Sequence, residues 1–286
     1  MILKEKKLKI ATILPYKENY TKDKASAASL WVSEFFKKSV YKNNNIIFGY
    51  TNSKSYLTKN YKNINLKNSF NSRFKSTTNE YVRLLIREII NSNFDIIEIH
   101  NRPQLLFKLK NKLDNKFIFY FHNDPLSMKG SKSIEERLKI LNYVDKLIFV
   151  SEWVKDRFFE KLDTKLQTKT EVVYPSVNRE KSIKKEKIII FVGKLNHSKG
   201  YDIYKEAVIN ILNEHSDWKA YSIGNEDRRS VYIKHHNHKE LGFINHKKTL
   251  QILNKSQIAV VPSRWEEPFG RTALEASSRG CATIIS

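Results

Sequence analysis

Three segments of this 286-residue chain combine residue types and spacings able to act on an anionic or hydroxyl-rich ligand. The first is Phe191-Val192-Gly193-Lys194-Leu195-Asn196-His197-Ser198-Lys199-Gly200. An apolar stretch ends at Gly193, and Lys194 and Lys199 flank a turn that opens a helix pattern. Glycine allows a backbone to approach a ligand closely, and two lysines beside a helix start make an anion site. A Gly-x4-Gly-Lys-Ser/Thr loop is absent. Spacing alone equally fits an ordinary turn carrying exposed lysines. The second segment runs from Val261-Pro262-Ser263 through Glu266-Glu267-Pro268-Phe269-Gly270 to Arg271 and Glu275-Ala276. Backbone N–H groups around Gly270–Thr272 would lie at a helix N-terminus, favouring anions. Glu275, about one turn in, can accept hydrogen bonds from two vicinal hydroxyls, or simply complement the helix dipole. Paired carboxylates also serve glycosidases, which need no adjoining phosphate-type site. The third is Tyr120-Phe121-His122-Asn123-Asp124-Pro125, a histidine between an apolar run and a polar turn.

Elements able to position these loops are legible in the patterning. Short β-branched or aromatic runs fall at Ile10–Leu14, Ile46–Tyr50, Asp95–Ile99, Lys116–Phe121 and Lys146–Val150. Amphipathic stretches lie between them near Ser26–Lys38, Asn79–Asn91, Ser133–Leu141 and Glu152–Lys161. Ser133 with Glu136 has capping-box spacing, and Ser151 is placed to cap the helix after it. Around residues 174–187 the pattern breaks into a turn and a charge-dense stretch, a linker signature. Alternation then resumes with strands at Lys187–Val192, Trp218–Ile223, Ile258–Val261 and Ala282–Ile285, and helices at Lys199–Leu212, Lys247–Leu253 and Arg271–Ser278. Strands alternating with helices predict parallel sheets. The expected architecture is α/β, with two Rossmann-like domains over residues 1–180 and 181–286. In such sheets ligands bind beyond the carboxyl ends of the strands, where all three segments fall.

Composition bounds the reading further. Hydrophobic residues make up 40% of the chain and charged residues 29%, enough apolar material to exclude disorder throughout. One cysteine, Cys281, excludes an internal disulfide framework. It falls at the start of a predicted buried strand and reads as core. Residues 1–90 hold 18 Lys and Arg against six Asp and Glu, and these account for most of the formal net charge of +22. That excess reads either as a docking surface for anionic lipid or as Lys- and Asn-rich bias. Met1–Lys7 has no apolar h-region, and no run approaches transmembrane length. A cytoplasmic protein, peripheral at most on a membrane, is expected.

The combination Gly193-Lys194, Lys199-Gly200, Gly242-Phe243, Val261-Pro262-Ser263, Glu267-Pro268-Phe269-Gly270 and Glu275-Ala276 resembles the retaining nucleotide-sugar glycosyltransferases of family 4, with the GT-B fold. The resemblance covers most of 187–286 and is looser over 1–180. It makes Glu267 and Glu275 the Glu-x7-Glu pair, with Glu266 out of register. It implies that Lys194 and Lys199 hold a donor diphosphate, that Glu267 meets the donor sugar and that Glu275 meets the ribose hydroxyls. It further implies that Gly193, Phe269 and Gly270 offer close backbone, that Gly242 and Phe243 meet the base, and that His122 stands by the donor sugar. The implied catalytic residues are His122, Glu267 and Lys199. No metal or other cofactor is implied, and no Asp-x-Asp motif is present. The implied partners are a nucleotide sugar and a glycan or lipid-linked acceptor.

Two departures accompany the resemblance. Pro15 to Leu30 contains no glycine, only the small-residue run Ala25–Ser29, where the family commonly has a Gly-rich loop. The chain also ends at Ile284-Ile285-Ser286, where family members usually continue, so the C-terminal domain is expected to be incomplete and a nucleotide-sugar-binding chain without turnover is an alternative. A basic nucleic-acid-binding protein is the rival from another class, since aromatics interleave with lysines over Tyr56–Lys62. That rival leaves the Glu-x7-Glu region unexplained. His235-His236-Asn237-His238 lacks the spaced ligands of a zinc site and reads as a solvated loop. Trp265 reads as lining the cleft or capping the sheet.

Overall fold

The computed structural model describes residues 7–16, 18–66, 76–181, 183–226 and 231–286. Most of Met1–Lys7, read above for a targeting signal, lies outside these residues. The chain divides into two compact units, Met1–Pro175 and Ser176–Ser286, where the sequence pattern broke.

In the first unit the strands are β1 (Ile10–Ile13), β2 (Asn45–Gly49), β3 (Tyr61–Asn63), β4 (Ile96–His100), β5 (Lys116–Phe121), β6 (Lys146–Phe149) and β7 (Thr170–Val172). Helices α1 (Ala27–Lys38), α2 (Thr77–Ser92), α3 (Pro103–Lys110), α4 (Ile134–Tyr143) and α5 (Glu152–Phe159) connect them. The sheet order is β3-β2-β1-β4-β5-β6-β7, every pair parallel. The second unit holds β8 (Glu186–Val192), α6 (Tyr201–Glu214), β9 (Lys219–Ile223), β10 (His238–Glu240), α7 (His246–Lys255), β11 (Ser256–Val261), α8 (Arg271–Ser278) and β12 (Ala282–Ile285). Its order is β10-β9-β8-β11-β12, again all parallel.

These elements form for recognisable reasons. The central strands are covered on both faces and read as near-continuous apolar runs, as parallel strands do: Ile188–Phe191 is buried throughout. Helix starts are capped by side chains. Ser26 Oγ accepts from Ser29 N, Ser151 Oγ from Val154 N, and Ser133 with Glu136 closes a complete capping box at α4.

Four elements escaped the sequence pattern. β3, β7 and β10 are three-residue strands of mixed polarity, and β3, β7 and β10 all lie at sheet edges, where burial on one side leaves no apolar run to read. Eight-residue α3 starts with Pro103 at its first turn, a start signal that its length made easy to pass over. The expected helix from Lys199 begins instead at Tyr201. Lys199 belongs to a short 3-10 turn, and Gly200 breaks the run with φ +68°. Strand β12, expected to be buried, is the exposed edge of its sheet, with Ile284 57% and Ile285 64% exposed. Cys281, just before it, is buried, and its thiol donates to the Leu253 carbonyl at 3.1 Å.

Both sheets have a reversal point. In the first, the chain moves outward from β1 to β3 and then crosses back to β4. In the second it moves from β8 to β10 and returns to β11. Connections diverge at these points and leave a crevice beyond the carboxyl ends of the two adjacent strands. In the second unit those strands are β8 and β11, which carry the lysine loop and the Glu-x7-Glu loop.

Candidate active site

The loop after β8 is held in shape by its own polar groups. Asn196 Oδ1 accepts from Lys199 N at 3.1 Å and from Ser198 Oγ at 3.0 Å, while its Nδ2 donates to Glu226 Oε2 at 3.0 Å. The Ser198 carbonyl accepts from Arg264 N and Trp265 N, both at 3.0 Å, which ties this loop to the one after β11. Arg264 reinforces the tie with a bidentate pair to Asp202 at 2.7 and 2.9 Å, which lowers the Asp202 carboxyl below its ordinary pKa. At the base of the two loops Gly200 meets Pro262 so closely that a Cβ would stand 1.7 Å from the Pro262 carbonyl oxygen.

This junction brings Lys199 and Glu267 together. Lys199 Nζ donates to Glu267 Oε1, and Ser263 Oγ donates to the same oxygen at 3.0 Å. Both members of the ion pair are about seven-tenths buried, with 29% of each side chain exposed. Lys194 is exposed on the preceding turn. Phe269 is partly buried. Gly270, at φ +78°, leads into α8 without a side-chain cap, and nothing lies within 4 Å of where its Cβ would be. The first N–H groups of α8 are therefore not closed off by a capping side chain.

Glu275 sits one turn into α8, buried, in a network the sequence did not reveal. Its Oε1 accepts from Arg271 Nε at 2.7 Å and from His246 Nε2 at 2.8 Å. Burial pushes the carboxyl pKa up, but His246 and Arg271 outweigh it and hold the group below its ordinary value. Arg271 and His246 are thus site residues missed in the sequence. The i, i+4 spacing of Arg271 and Glu275 was an available signal. For His246 only proximity in space gives it away.

On the other side of β8, glycines line the strand ends. Gly193 N donates to the Ile223 carbonyl and Gly224 N to the Gly242 carbonyl, both at 2.9 Å. Gly224, at φ +144°, lies so close to Gly193 that a Cβ would stand 1.8 Å from the Gly193 carbonyl oxygen. Gly193 and Gly242 were expected here. Gly224 was not, and it is what lets the backbones after β8 and β9 touch. Phe243 is exposed beside them. Trp265 is half exposed, and its backbone N–H donates to the Ser198 carbonyl.

His122 belongs to the first unit. Its Nε2 is 2.8 Å from Nδ1 of buried His100, and its backbone N–H donates to Asn101 Oδ1 at 2.9 Å. Trp31 stands edge-on to His122, with ring centroids 5.1 Å apart, and Tyr120 stacks on His100. Burial lowers the His122 pKa to about 3, and burial followed by His122 itself lowers His100, so both imidazoles are neutral near pH 7. Below this pair Thr12 Oγ1 donates to Glu98 Oε2 at 2.7 Å, and burial raises the Glu98 pKa.

Of the histidine segment, His235–Asn237 lie outside any strand with His236 exposed, as expected of a solvated loop, but the last residue is drawn into the sheet. His238 lies in β10, and its Nε2 is 2.8 Å from buried Ser222 Oγ. His235 and His236 stack on each other. Among the described residues no three His, Cys, Asp or Glu side chains gather so as to hold a metal ion. Among them, too, no helix is long and apolar enough to cross a membrane.

Residues 175–286 match the family of glycosyl transferases group 1, and residues 49–181 match glycosyltransferase family 4. The chain is 26% identical over 235 residues to spore coat protein SA of Bacillus subtilis, covering 70% of this chain and 61% of that one. It spans about three fifths of the length of three of the curated relatives it matches and less of others. Among solved structures it is similar to sucrose-phosphate synthase from Thermosynechococcus elongatus (TM-score 0.72, 14% identity, 97% of this chain and 81% of that one). It is also similar to HepE from Anabaena, solved with UDP and glucose (TM-score 0.67, 14% identity, 97% and 80% covered). With two adjoining glycosyltransferase models spanning residues 49–286, the chain belongs to the glycosyltransferases of group 1 and family 4, in the GT-B fold.

Proposed function

We propose that this protein moves a sugar from a nucleoside-diphosphate sugar to a glycan or lipid-linked acceptor, with retention of anomeric configuration and without a metal. One observation carries the reading. The Lys199–Glu267 pair stands at the junction of the loops after β8 and β11, close in sequence to the uncapped start of α8. The leaving group is a diphosphate whose charge grows as the glycosidic bond breaks, and fixed positive groups at that point lower the barrier. Lys199 has three N–H donors and gives one to Glu267, so it retains donors for phosphate oxygens. Lys194 adds charge, and Phe269 and Gly270 add backbone N–H groups. Glu267 accepts hydrogen bonds from the donor sugar, and Ser263 with Lys199 keeps its carboxylate oriented. Glu275 serves the ribose and the Gly242-Phe243 backbone the base. Support for the donor class comes from the UDP and glucose bound by HepE, and support for a coat or envelope glycan as acceptor from the relative named for the spore coat.

The test is a panel of nucleoside diphosphates and nucleotide sugars, measured by thermal stabilisation with and without EDTA. A ligand at a hundred times its Kd adds about 2.7 kcal/mol. At least one nucleotide should raise the melting temperature, unaffected by chelator. If none does, the donor site is wrong; if EDTA abolishes the shift, the metal-free mechanism is wrong. Retention is checked separately by the anomeric NMR signal of the first-formed product.

A further inference from the structure

The topology of the first unit gathers lysines that are scattered in sequence. Lys7 and Lys9 precede β1, Lys37 and Lys38 end α1, Lys42 precedes β2 and Lys59 precedes β3. β3, β2 and β1 are neighbours at one side of the sheet, so these residues lie together at the amino ends of three adjacent strands. Short contacts fix the arrangement: Asn44 Nδ2 donates to the Lys7 carbonyl at 3.4 Å, and Asn60 Nδ2 to the Lys42 carbonyl at 2.9 Å. All six lysines are exposed, and none forms an ion pair among the described residues.

The same turn carries apolar side chains on its surface. Val40 is 89% exposed and Tyr41 38%. A soluble face gains nothing from an almost fully exposed valine beside an exposed aromatic residue. A ring of lysines around an apolar tip is the composition that suits the boundary of an anionic bilayer, where apolar groups enter the headgroup region and each lysine near the surface adds attraction.

We propose that this face, centred on Val40 and ringed by Lys7, Lys9, Lys37, Lys38, Lys42 and Lys59, docks on an anionic lipid surface. It lies at the end of the sheet opposite the carboxyl ends of β4 and β5, so docking leaves the end that holds His122 open to solvent. Charge complementarity selects the lipid over a second copy of the chain, because two such faces would repel each other.

Sedimentation of the whole chain with phosphatidylcholine vesicles, with and without phosphatidylglycerol, tests the proposal. Binding is expected only to the phosphatidylglycerol vesicles and should weaken as salt rises. Replacing Lys37, Lys38 and Lys42 together by Glu should lower partitioning by roughly a hundredfold or more. Val40→Asp should lower it with no change in net lysine count. The same triple change at Lys165, Lys181 and Lys184, exposed elsewhere, should have much less effect. Melting temperatures of all variants guard against misfolding. Equal binding to both vesicle types, no binding at low salt, equal losses from the two triple variants, or self-association through Val40 would each overturn the proposal. The readout needs no nucleotide, so its failure is separable from failure of the donor-site reading.

Discussion

Lys199 and Glu267, 68 positions apart in sequence, form one ion pair because β8 and β11 are adjacent at the reversal point of the second sheet. Ser263 Oγ shares the same carboxylate oxygen. The pair is partly exposed, so its value to stability is modest, about 1 kcal/mol or less. On the proposed function its worth lies in placing a cation where a leaving diphosphate would need it. Lys199→Met should therefore leave the melting temperature within a few degrees while lowering sugar transfer by about a hundredfold or more. Lys194→Met, at an exposed lysine that forms no ion pair with Glu267 among the described residues, should cost less. Steady-state transfer rates for the two variants check the ranking; equal losses would refute it.

The close approach of Gly200 to Pro262 makes a second, structural prediction. At φ +68° a side chain is strained, and a Cβ would overlap the Pro262 carbonyl. Gly200→Ala should therefore destabilise the C-terminal unit by at least about 1–2 kcal/mol from the backbone alone. It should also separate the two loops, so nucleotide-induced stabilisation is lost beyond the fall in melting temperature. Gly270→Ala, with nothing within 4 Å of its Cβ, should show the backbone cost without the clash. Denaturant titrations of the two variants give the comparison.

Glu275 is tied to Arg271 and His246, which separates two roles. Removing one member of a buried ionic group leaves the others unpaired and costs about 3–5 kcal/mol, so Glu275→Ala should be strongly destabilising. Glu275→Gln keeps an acceptor for both neighbours and should cost less. If the carboxylate also meets the ribose, a nucleoside diphosphate should outbind its 2′,3′-dideoxy analogue on the wild-type protein, and the difference should shrink in Glu275→Gln. Calorimetric affinities for the four combinations form a cycle that isolates the contact. An unchanged difference would confine Glu275 to positioning Arg271 and His246.

The His100–His122 pair makes stability depend on pH. Both pKa values are depressed by burial, His122 to about 3. In the unfolded chain a histidine titrates near 6.5. The stability contribution is therefore fully present above about pH 6.5 and is lost as the pH falls toward 3, because the unfolded state takes up the proton first. At pH 5 the loss for His122 alone is about 2 kcal/mol. Replacing His122 with Gln should flatten the slope of unfolding free energy between pH 6.5 and 4. A slope identical to wild type would mean that His122 is not buried as neutral imidazole.

The sequence alone determined the strands and helices in the core, α3 apart, because burial on both faces writes itself as runs such as Ile188–Val192 and capping writes itself as Ser133 with Glu136. By spacing from glycine and from helix starts it also singled out Lys199 and Glu275, while the family resemblance picked Glu267 over Glu266. It was silent on β3, β7 and β10, whose short, half-exposed strands carry no period. It was equally silent on Gly224 and His246, since their roles arise from contacts across loops with no local signature. Only the tertiary structure decided the partners: strand order put the loops after β8 and β11 side by side, and burial turned Glu275 inward to Arg271 and His246. The same strand order turned lysines dispersed over residues 7–59 into a single face. Local pattern records what each residue costs to bury, whereas adjacency between distant segments is settled by how the sheet is wound.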